Sequence, residues 1–518
     1  MTQQTPAHPE PTDAQATLDK AMQRHQQGDL YEADLLYAQT LRLDPTNNQA
    51  LRLRAILARE RGEIEQSLQL LQTAHDANTA SPEPLGEMAL TYMAAGKLTK
   101  AEECFKQALV IDPSAIRILT NYGALLQHRG HTSAAIDCYR HALAVDAEDV
   151  EVRCNLAKAL ADMGQTDEAL KECDVAIKLS DSHPFVLATR GAVLTDSKRY
   201  DDARKTLEES TRVEPYNDMA LVNLALCYYE LDDIKTAAQV LQQAVNANPW
   251  NARAVADLAN CFSALSDSNA ALDLCESFLR QNPGERLVVA AYALALHNAG
   301  RNSEALELTN CDSLLRVYDL PCPAGFTSST EFNTALGDAL RTDQSLLANP
   351  ISKSTFGGAQ TGELDLHNNN AIEQLSQQFA EAIQDACNSY LKTGLENHPL
   401  MAPATDDWSL RVWGSILATG GQQTPHMHPV GWISGVYYVS LPEDMDSSNS
   451  EAGWLEIGRP PERFFRATET ATRRFEPKES RLILFPSWFW HQTIPFDAHS
   501  DRISIAFDVV PRAMLSIL

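Results

Sequence analysis

Apolar and small residues recur along the first part of the chain with a period of 34, from about residue 16 to about residue 312, without insertion or deletion. A turn residue stands at Gly28, Gly62, Gly96, Gly130 and Gly164, gives way to Lys198, Asp232 and Ser266, and returns at Gly300. Five positions on come Ala33, Ser67, Ala101, Ala135, Ala169, Ala203, Ala237, Ala271 and Ala305. Four further on stand Tyr37, Leu71, Phe105, Tyr139, Cys173, Leu207, Leu241, Cys275 and Thr309, and proline closes units at Pro45, Pro113, Pro215, Pro249 and Pro283. The pattern predicts a helix, a tight turn, a second helix and a proline-marked break, repeated nine times. The alanine lets paired helices approach, and the larger residue four positions later fills the gap on the same face. One pair alone cannot bury its apolar face, so the units must stack.

The period stops after Thr309, and Leu320-Pro-Cys-Pro-Ala-Gly-Phe-Thr-Ser-Ser329 reads as a linker. A helical pattern follows from Asn370 to Tyr390. Beyond Trp408 the apolar period becomes two, in Leu410–Leu417, Ile433–Val439, Arg481–Phe485 and Arg502–Val509. Several strands with intervening turns predict a barrel or sandwich flanked by helices. The expected division is a disordered tail over 1–15, the nine-unit array over 16–314, a linker over 315–329 and a second domain over 330–518, the array folding without it. Of seven tryptophans only Trp250 lies in the array.

Composition narrows the classes of function. At 518 residues the chain needs more than one core. A formal charge of -27 repels nucleic acid and anionic lipid. The polar start with Pro6, Pro9 and Pro11 lacks the features of a secretory signal, and no apolar stretch reaches the length of a membrane span. Ten scattered cysteines include no Cys-x-x-Cys pair, which fits thiols in a reducing cytoplasm better than zinc or disulfides.

Candidate chemistry is concentrated near the end. In Thr424-Pro-His-Met-His-Pro429, extended backbone turns His426 and His428 to one face, where both imidazoles can reach one ion. Phe485-Pro-Ser-Trp-Phe-Trp-His491 ends a strand on a third histidine. In Asp501-Arg-Ile-Ser-Ile-Ala-Phe-Asp508, alternation sets Arg502, Ser504 and Ala506 against Ile503, Ile505 and Phe507. An arginine and a serine beside a metal suit a carboxylate. The plainer alternatives are that His491 caps a strand and that Arg502 pairs with Asp501 at the surface; the two-sided alternation favours an interior Arg502. His25, His128 and His141, on polar helix faces without a second ligand, read as ordinary surface residues, and His499 and the tryptophans as structure or rim.

The repeating glycine, alanine, aromatic and proline register resembles the tetratricopeptide family, which implies a superhelix whose concave face takes a protein or peptide partner. The His-x-His pair, the distal His491 and Arg502-x-Ser504 resemble the prolyl-hydroxylase-like oxygenases of the double-stranded β-helix, or jelly-roll, superfamily. Ser434-Gly-Val-Tyr-Tyr-Val439, Gly453-Trp-Leu-Glu-Ile457 and Thr355-Phe-Gly-Gly-Ala-Gln-Thr361 add to the likeness, which spans about 325–512 and extends to 2-oxoglutarate/iron oxygenases fused to tetratricopeptide arrays. The resemblance implies Fe(II) on His426, His428 and His491, and 2-oxoglutarate with its far carboxylate on Arg502 and Ser504. It implies O2 as the second cosubstrate and hydroxylation as the outcome. Tyr438 matches a tyrosine that helps hold the cosubstrate, or else it packs. One departure stands out: His428 occupies the position where these enzymes carry an acid, and Glu456 is the alternative acid. Two rival readings remain at this level, a metal-binding barrel without turnover on an interaction scaffold, and a cupin-like metal activity without 2-oxoglutarate. Arg502-x-Ser504 argues against the latter.

Overall fold

The computed structural model describes residues 11–350, 353–367, 369–443, 445 and 451–511. Helices alternate with short turns from Pro11 to Thr309, as the 34-residue period requires. Side-chain caps start many of the leading helices: Asn47, Asp149, Asn217 and Asn251 each accept from the backbone N–H three residues on. The glycine column marks the helix ends. Gly96 N–H donates to Met93 and Lys97 N–H to Tyr92, which closes the left-handed cap that satisfies the last carbonyls. Where the glycine lapses, the backbone does not: Lys198, Asp232 and Ser266 hold φ of 58°, 66° and 64°, beside 66° at Gly96 and 80° at Gly130.

A second small-residue column is part of the same packing. Ala21, Ala55, Ala89, Ala157, Ala225 and Ala259 are buried, and Gly123 and Gly191 share their phase. A Cβ on Gly191 would lie 2.4 Å from Leu207 Cγ, and one on Gly123 2.6 Å from Tyr139 Cε1. In these two units the aromatic or leucine of the second helix therefore sits directly on the first helix's backbone.

The chain divides into two compact units, one holding residues up to Leu125 with Cys138–Ala147, the other Leu126–Asp137 with Glu148–Pro511. The second unit joins the later repeats to the β domain, so the repeats do not separate from that domain at residue 314 as expected. Tyr229 Oη donates to Arg463 O at 2.5 Å, Asn298 Nδ2 to Phe465 O at 3.1 Å, Arg286 Nε to Pro429 O at 3.0 Å and Trp488 Nε1 to Leu308 O at 3.2 Å.

The β domain has two sheets. Strands β1 (Arg316–Asp319), β2 (Leu347–Ala348), β3 (Thr355–Gln360), β4 (Trp408–Gln423), β5 (Ile433–Ser440), β6 (Leu455–Ile457), β7 (Arg473–Phe475), β8 (Arg481–Pro486), β9 (His491–Thr493) and β10 (Arg502–Pro511) follow in chain order. The larger sheet runs β1-β8-β5-β10-β4-β3-β2 and the smaller β7-β6-β9, all antiparallel, in the jelly-roll manner. One face of β10 presents Ile503, Ile505, Phe507 and Val509 to the core, where Phe379 of the helix Asn370–Lys392 stacks on Phe507 at 4.2 Å. The other face of β10 is the functional one.

Two boundaries need correcting. Residues 11–15 of the expected tail belong to the helix Pro11–Gln26, while 1–10 lie outside the described residues. The expected linker contains β1, whose four residues pair with β8, so 315–329 is partly sheet; Arg481 reaches back to Asp319 at 2.8 Å.

Because a left-handed conformation strains an L side chain by roughly 1–2 kcal/mol, part of which glycine's extra freedom in the unfolded chain cancels, Lys198→Gly and Asp232→Gly should each stabilise by about 0.5–1 kcal/mol. Denaturant unfolding measures this directly, and an unchanged or lowered midpoint would show that the turns carry no strain.

Candidate metal centre

The two sheets meet at the histidines. His426 N–H donates to His491 O at 3.1 Å and His491 N–H to His426 O at 2.9 Å, an antiparallel bridge outside the named strands' ladders. His428 N–H donates to Ser487 O at 2.9 Å. Main-chain bonds thus position all three residues. The ring centroids lie 4.1 Å (His426–His491), 4.9 Å (His428–His491) and 5.2 Å (His426–His428) apart. One potential ligand atom from each ring lies within 4.8 Å of the other two.

Each imidazole has an oxygen at Nδ1: Thr424 O at 2.7 Å from His426, Asp508 Oδ1 at 2.6 Å from His428, and Phe489 O at 2.9 Å from His491. The tautomers with the proton on Nδ1 donate to these acceptors and leave three Nε2 lone pairs, the donor set of a first-row divalent metal. Ser354 Oγ, 3.2 Å from His426 Nε2, is a hydroxyl that can donate to that lone pair when no ion takes it. Burial, then the neighbouring His428, pushes His426 down to about 3, and burial followed by the two other histidines holds His491 well below its ordinary value. These two rings are therefore neutral at pH 7 and competent as ligands.

The acid of the site is Asp508, to which the sequence reading gave no role. It is buried at 9% exposure and accepts from Ser434 Oγ at 2.6 Å as well as facing His428. Burial raises its carboxyl, but His428 and the bonds from His428 and Ser434 outweigh this and hold it below the usual carboxylate range. Asp508 shares β10's parity with Arg502, so the signal was present in the alternation. Glu456, the expected alternative acid, is elsewhere: Oε1 accepts from Arg459 and Gln492, both at 2.7 Å, and Oε2 from Arg474 at 2.8 Å. Its neighbour Leu455 faces the cavity, and strand alternation sends Glu456 the other way.

Arg502 is 2% exposed and has no carboxylate at ion-pair distance among the described residues. Nε donates to Gly453 O at 3.2 Å and Nη1 to Ser504 Oγ at 3.4 Å, and the guanidinium lies 5.0 Å from the Tyr438 ring centre. Burial pulls the guanidinium below its ordinary value and Tyr438 opposes this, yet an arginine stays cationic. A buried cation without an anion fits the far carboxylate of a dicarboxylic ligand. Ser504 and Tyr438 touch Arg502 and are not among the cavity-lining residues, and the buried Tyr438 hydroxyl has no hydrogen-bond partner among the described residues.

Arg502 and the three histidines line one cavity of about 370 Å³, together with Leu455, Phe485, Thr493, Ala506 and Asp508. Its further wall comes from the repeats: His128, Arg129 and Gly130, the turn after the helix Ile116–His128. Arg129 O accepts from Glu363 N–H at 2.7 Å, and His128 O from Arg411 Nη2 at 3.1 Å. His128, read from sequence as an ordinary surface residue, is a cavity wall; burial, then Arg411, Lys353 and Arg129, pushes it down to about 4. It is not one of the three grouped histidines.

Comparison with known proteins agrees with this architecture. Residues 411–508 match the family described as "Putative 2OG-Fe(II) oxygenase". Tetratricopeptide families match 81–148 and 123–184, and the Psidin N-terminal repeat region matches 158–270. The chain therefore joins tetratricopeptide repeats to a C-terminal domain of that oxygenase family. Similar solved structures include a tetratricopeptide repeat protein from Parabacteroides merdae, 14% identical, covering 55% of this chain and 98% of that one with a TM-score of 0.37. Others are PilF from Pseudomonas aeruginosa (20% identical, 40% and 94% covered, 0.34) and a repeat protein from Thermus thermophilus (21% identical, 35% and 98% covered, 0.32). No curated protein matches the chain.

If Asp508 fixes the tautomer and orientation of His428, Asp508→Asn should weaken metal affinity roughly tenfold to a hundredfold, as loss of such a partner does elsewhere. Competition titration with a chelator measures it; undiminished affinity would mean that the carboxylate does not tune the site.

Proposed function

We propose that this protein is an Fe(II)- and 2-oxoglutarate-dependent oxygenase, acting as a hydroxylase, whose repeats hold a protein substrate or partner on their concave face. The observation that carries the reading is the buried Arg502, without a carboxylate at ion-pair distance among the described residues, in the same cavity as three imidazoles whose potential ligand atoms lie within 4.8 Å of one another. His426, His428 and His491 hold the metal, and Thr424 O, Asp508 and Phe489 O fix their rings. Arg502 takes the C5 carboxylate of 2-oxoglutarate, steadied by Ser504 and by the Tyr438 ring. Three neutral ligands leave the ion's charge of +2 to be met by a dianion, so the set favours this cosubstrate. Leu455 and Phe485 keep that wall of the cavity apolar. Bound iron and 2-oxoglutarate supply the activation of O2 needed to oxidise a substrate C–H bond, and the protein supplies position.

No helix of the described residues is long and apolar enough to cross a membrane. The ten cysteines are all free, and burial pushes Cys173, Cys261 and Cys275 up to about 12, so these thiols are inert core groups, in keeping with a cytoplasmic protein.

Calorimetry tests the reading. Metal-loaded protein should bind 2-oxoglutarate, Arg502→Ala should weaken that by about 1.5–3 kcal/mol, and Arg502→Lys should restore only part because lysine lacks the fork. The variant with alanine at His426, His428 and His491 should lose stoichiometric iron. Absence of binding at millimolar concentration, or binding indifferent to Arg502, would favour the rival suggested by His428 at the usual acid position, a metal-binding barrel without turnover.

A further inference from the structure

Between β6 and β7 the chain leaves the sheets and lies along the last repeats. Residues Gly458–Ala471 form neither helix nor strand, so their main-chain groups need partners from elsewhere. The repeats supply several. Tyr229 Oη donates to Arg463 O at 2.5 Å, Asn298 Nδ2 donates to Phe465 O at 3.1 Å while its Oδ1 accepts from Ala467 N–H at 2.9 Å, and His297 Nε2 lies 3.0 Å from Thr468 O. These partners recur with the period: Tyr229 and Glu230 close the leading helix of the seventh unit, and His297 and Asn298 hold the same positions in the ninth. Side chains add an anchor. Phe464 is 8% exposed and fills a hollow between Leu226, Tyr229, Leu241, Asn260 and Cys261, with only about 20 Å³ left beside it, and the Arg463 guanidinium lies 3.6 Å from Glu230. The rest of the contact is light. Of these fourteen residues only Pro460 and Phe464 are buried. With Ala293, Leu294 and Leu306 the two ends of the segment line a cavity of about 430 Å³, a void that close packing would fill. Few buried apolar contacts over a void mark a segment that opens at low cost.

We propose that the leading helices of the seventh to ninth units form a binding surface for a peptide partner that carries an arginine followed by a phenylalanine, and that Gly458–Ala471 occupies this surface in cis until such a peptide displaces it. The chemistry of the partner is read from what is already seated there. Side chains of two units hold main-chain atoms, which every peptide offers, while the hollow and Glu230 select an aromatic ring and the cation before it. A tethered occupant competes at an effective concentration of order millimolar, so a free peptide binds well only when the segment's own grip is weakened. The proposal goes beyond the oxygenase reading, since it names the chemistry of a partner and a resident competitor. It involves neither metal nor cosubstrate, so either can fail without the other.

The probe is a fluorescein-labelled peptide with the sequence of residues 458–471, titrated by anisotropy against the full chain. It should bind the Phe464→Ala chain at least about tenfold tighter than the wild type, and the Arg463→Glu chain at least about threefold tighter, because each change weakens the resident competitor. Arg463 is exposed, so the second variant decides the matter if loss of the buried ring harms folding. In the Arg463→Glu background, Asn298→Ala should weaken the peptide at least about threefold, and a peptide carrying Phe464→Ala should bind at least about tenfold more weakly than the parent peptide. Equal affinity for the wild-type and variant chains, no binding at millimolar concentration, or indifference to Asn298→Ala would overturn the proposal. So would a wild-type dimer in sedimentation that Arg463→Glu abolishes, which would make the segment of a second copy the occupant.

Discussion

The antiparallel bridge between His426 and His491 ties the smaller sheet to the larger and, by the same two hydrogen bonds, sets two of the three imidazoles side by side. Everything at the centre follows from it. With those backbones locked, His428 must approach from two residues along, and its ring is steadied by Asp508 and Ser434 of the larger sheet, Ser434 being bonded in turn to Ser487. A buried network of this kind is costly unless every member is paired, and here the acid, the hydroxyls and the imidazole satisfy one another. On the proposed reading the acid is the partner that orients a ligand, and His428 can stand where the related enzymes carry an acid without leaving the site bare of carboxylate.

A second constraint falls on Gly130. All nine repeat turns adopt a left-handed backbone, and at Lys198, Asp232 and Ser266 a side chain tolerates it. At Gly28, Gly62 and Gly300 a Cβ would meet nothing within 4 Å, so strain alone favours glycine there. At Gly130 a Cβ would lie 2.8 Å from Gly362 Cα, and one on Gly362 would lie 2.8 Å from Arg129 O. Two backbones touch, and neither residue can acquire a side chain without parting the turn from the β domain. The glycine that the repeat prefers on local grounds is required here on tertiary ones, and the contact sets Arg129 in the cavity wall.

The array was legible because one period of 34 repeats a local rule, and the strands were legible where alternation ran long enough: Leu410–Leu417 lies in β4, and Asn370–Tyr390 in the helix Asn370–Lys392. The histidine group was legible because i, i+2 geometry needs no tertiary knowledge. What escaped was pairing. Strand parity says which residues share a face but not which face is inside when only three residues form the strand, so Glu456 was a reasonable candidate until β6 turned Leu455 inward. Asp508 had the right parity but no visible partner, since Ser434 lies 74 residues away. β1 is four residues long, too short to show a period beside prolines and glycine. The approach of the Arg129 turn depends on contacts such as Arg411 to His128, separated by 283 residues, which no local pattern encodes.

The charge of the chain sharpens what the centre can accept. A formal -27 spread over the surface acts through screening of roughly 8–10 Å at physiological salt, so a distant acid contributes little inside a lined cavity. Arg502 acts at contact range and against low-dielectric walls, where a charge counts for more. An anion thus meets a repulsive exterior and an attractive interior. Capture from bulk by long-range steering is suppressed, while binding once inside is not. Presentation by a partner already seated on the repeats would bypass the repulsive approach, because tethering replaces a bimolecular encounter with a local concentration. Whatever the repeats present, through Arg129 they form part of the wall that an anion inside the cavity meets.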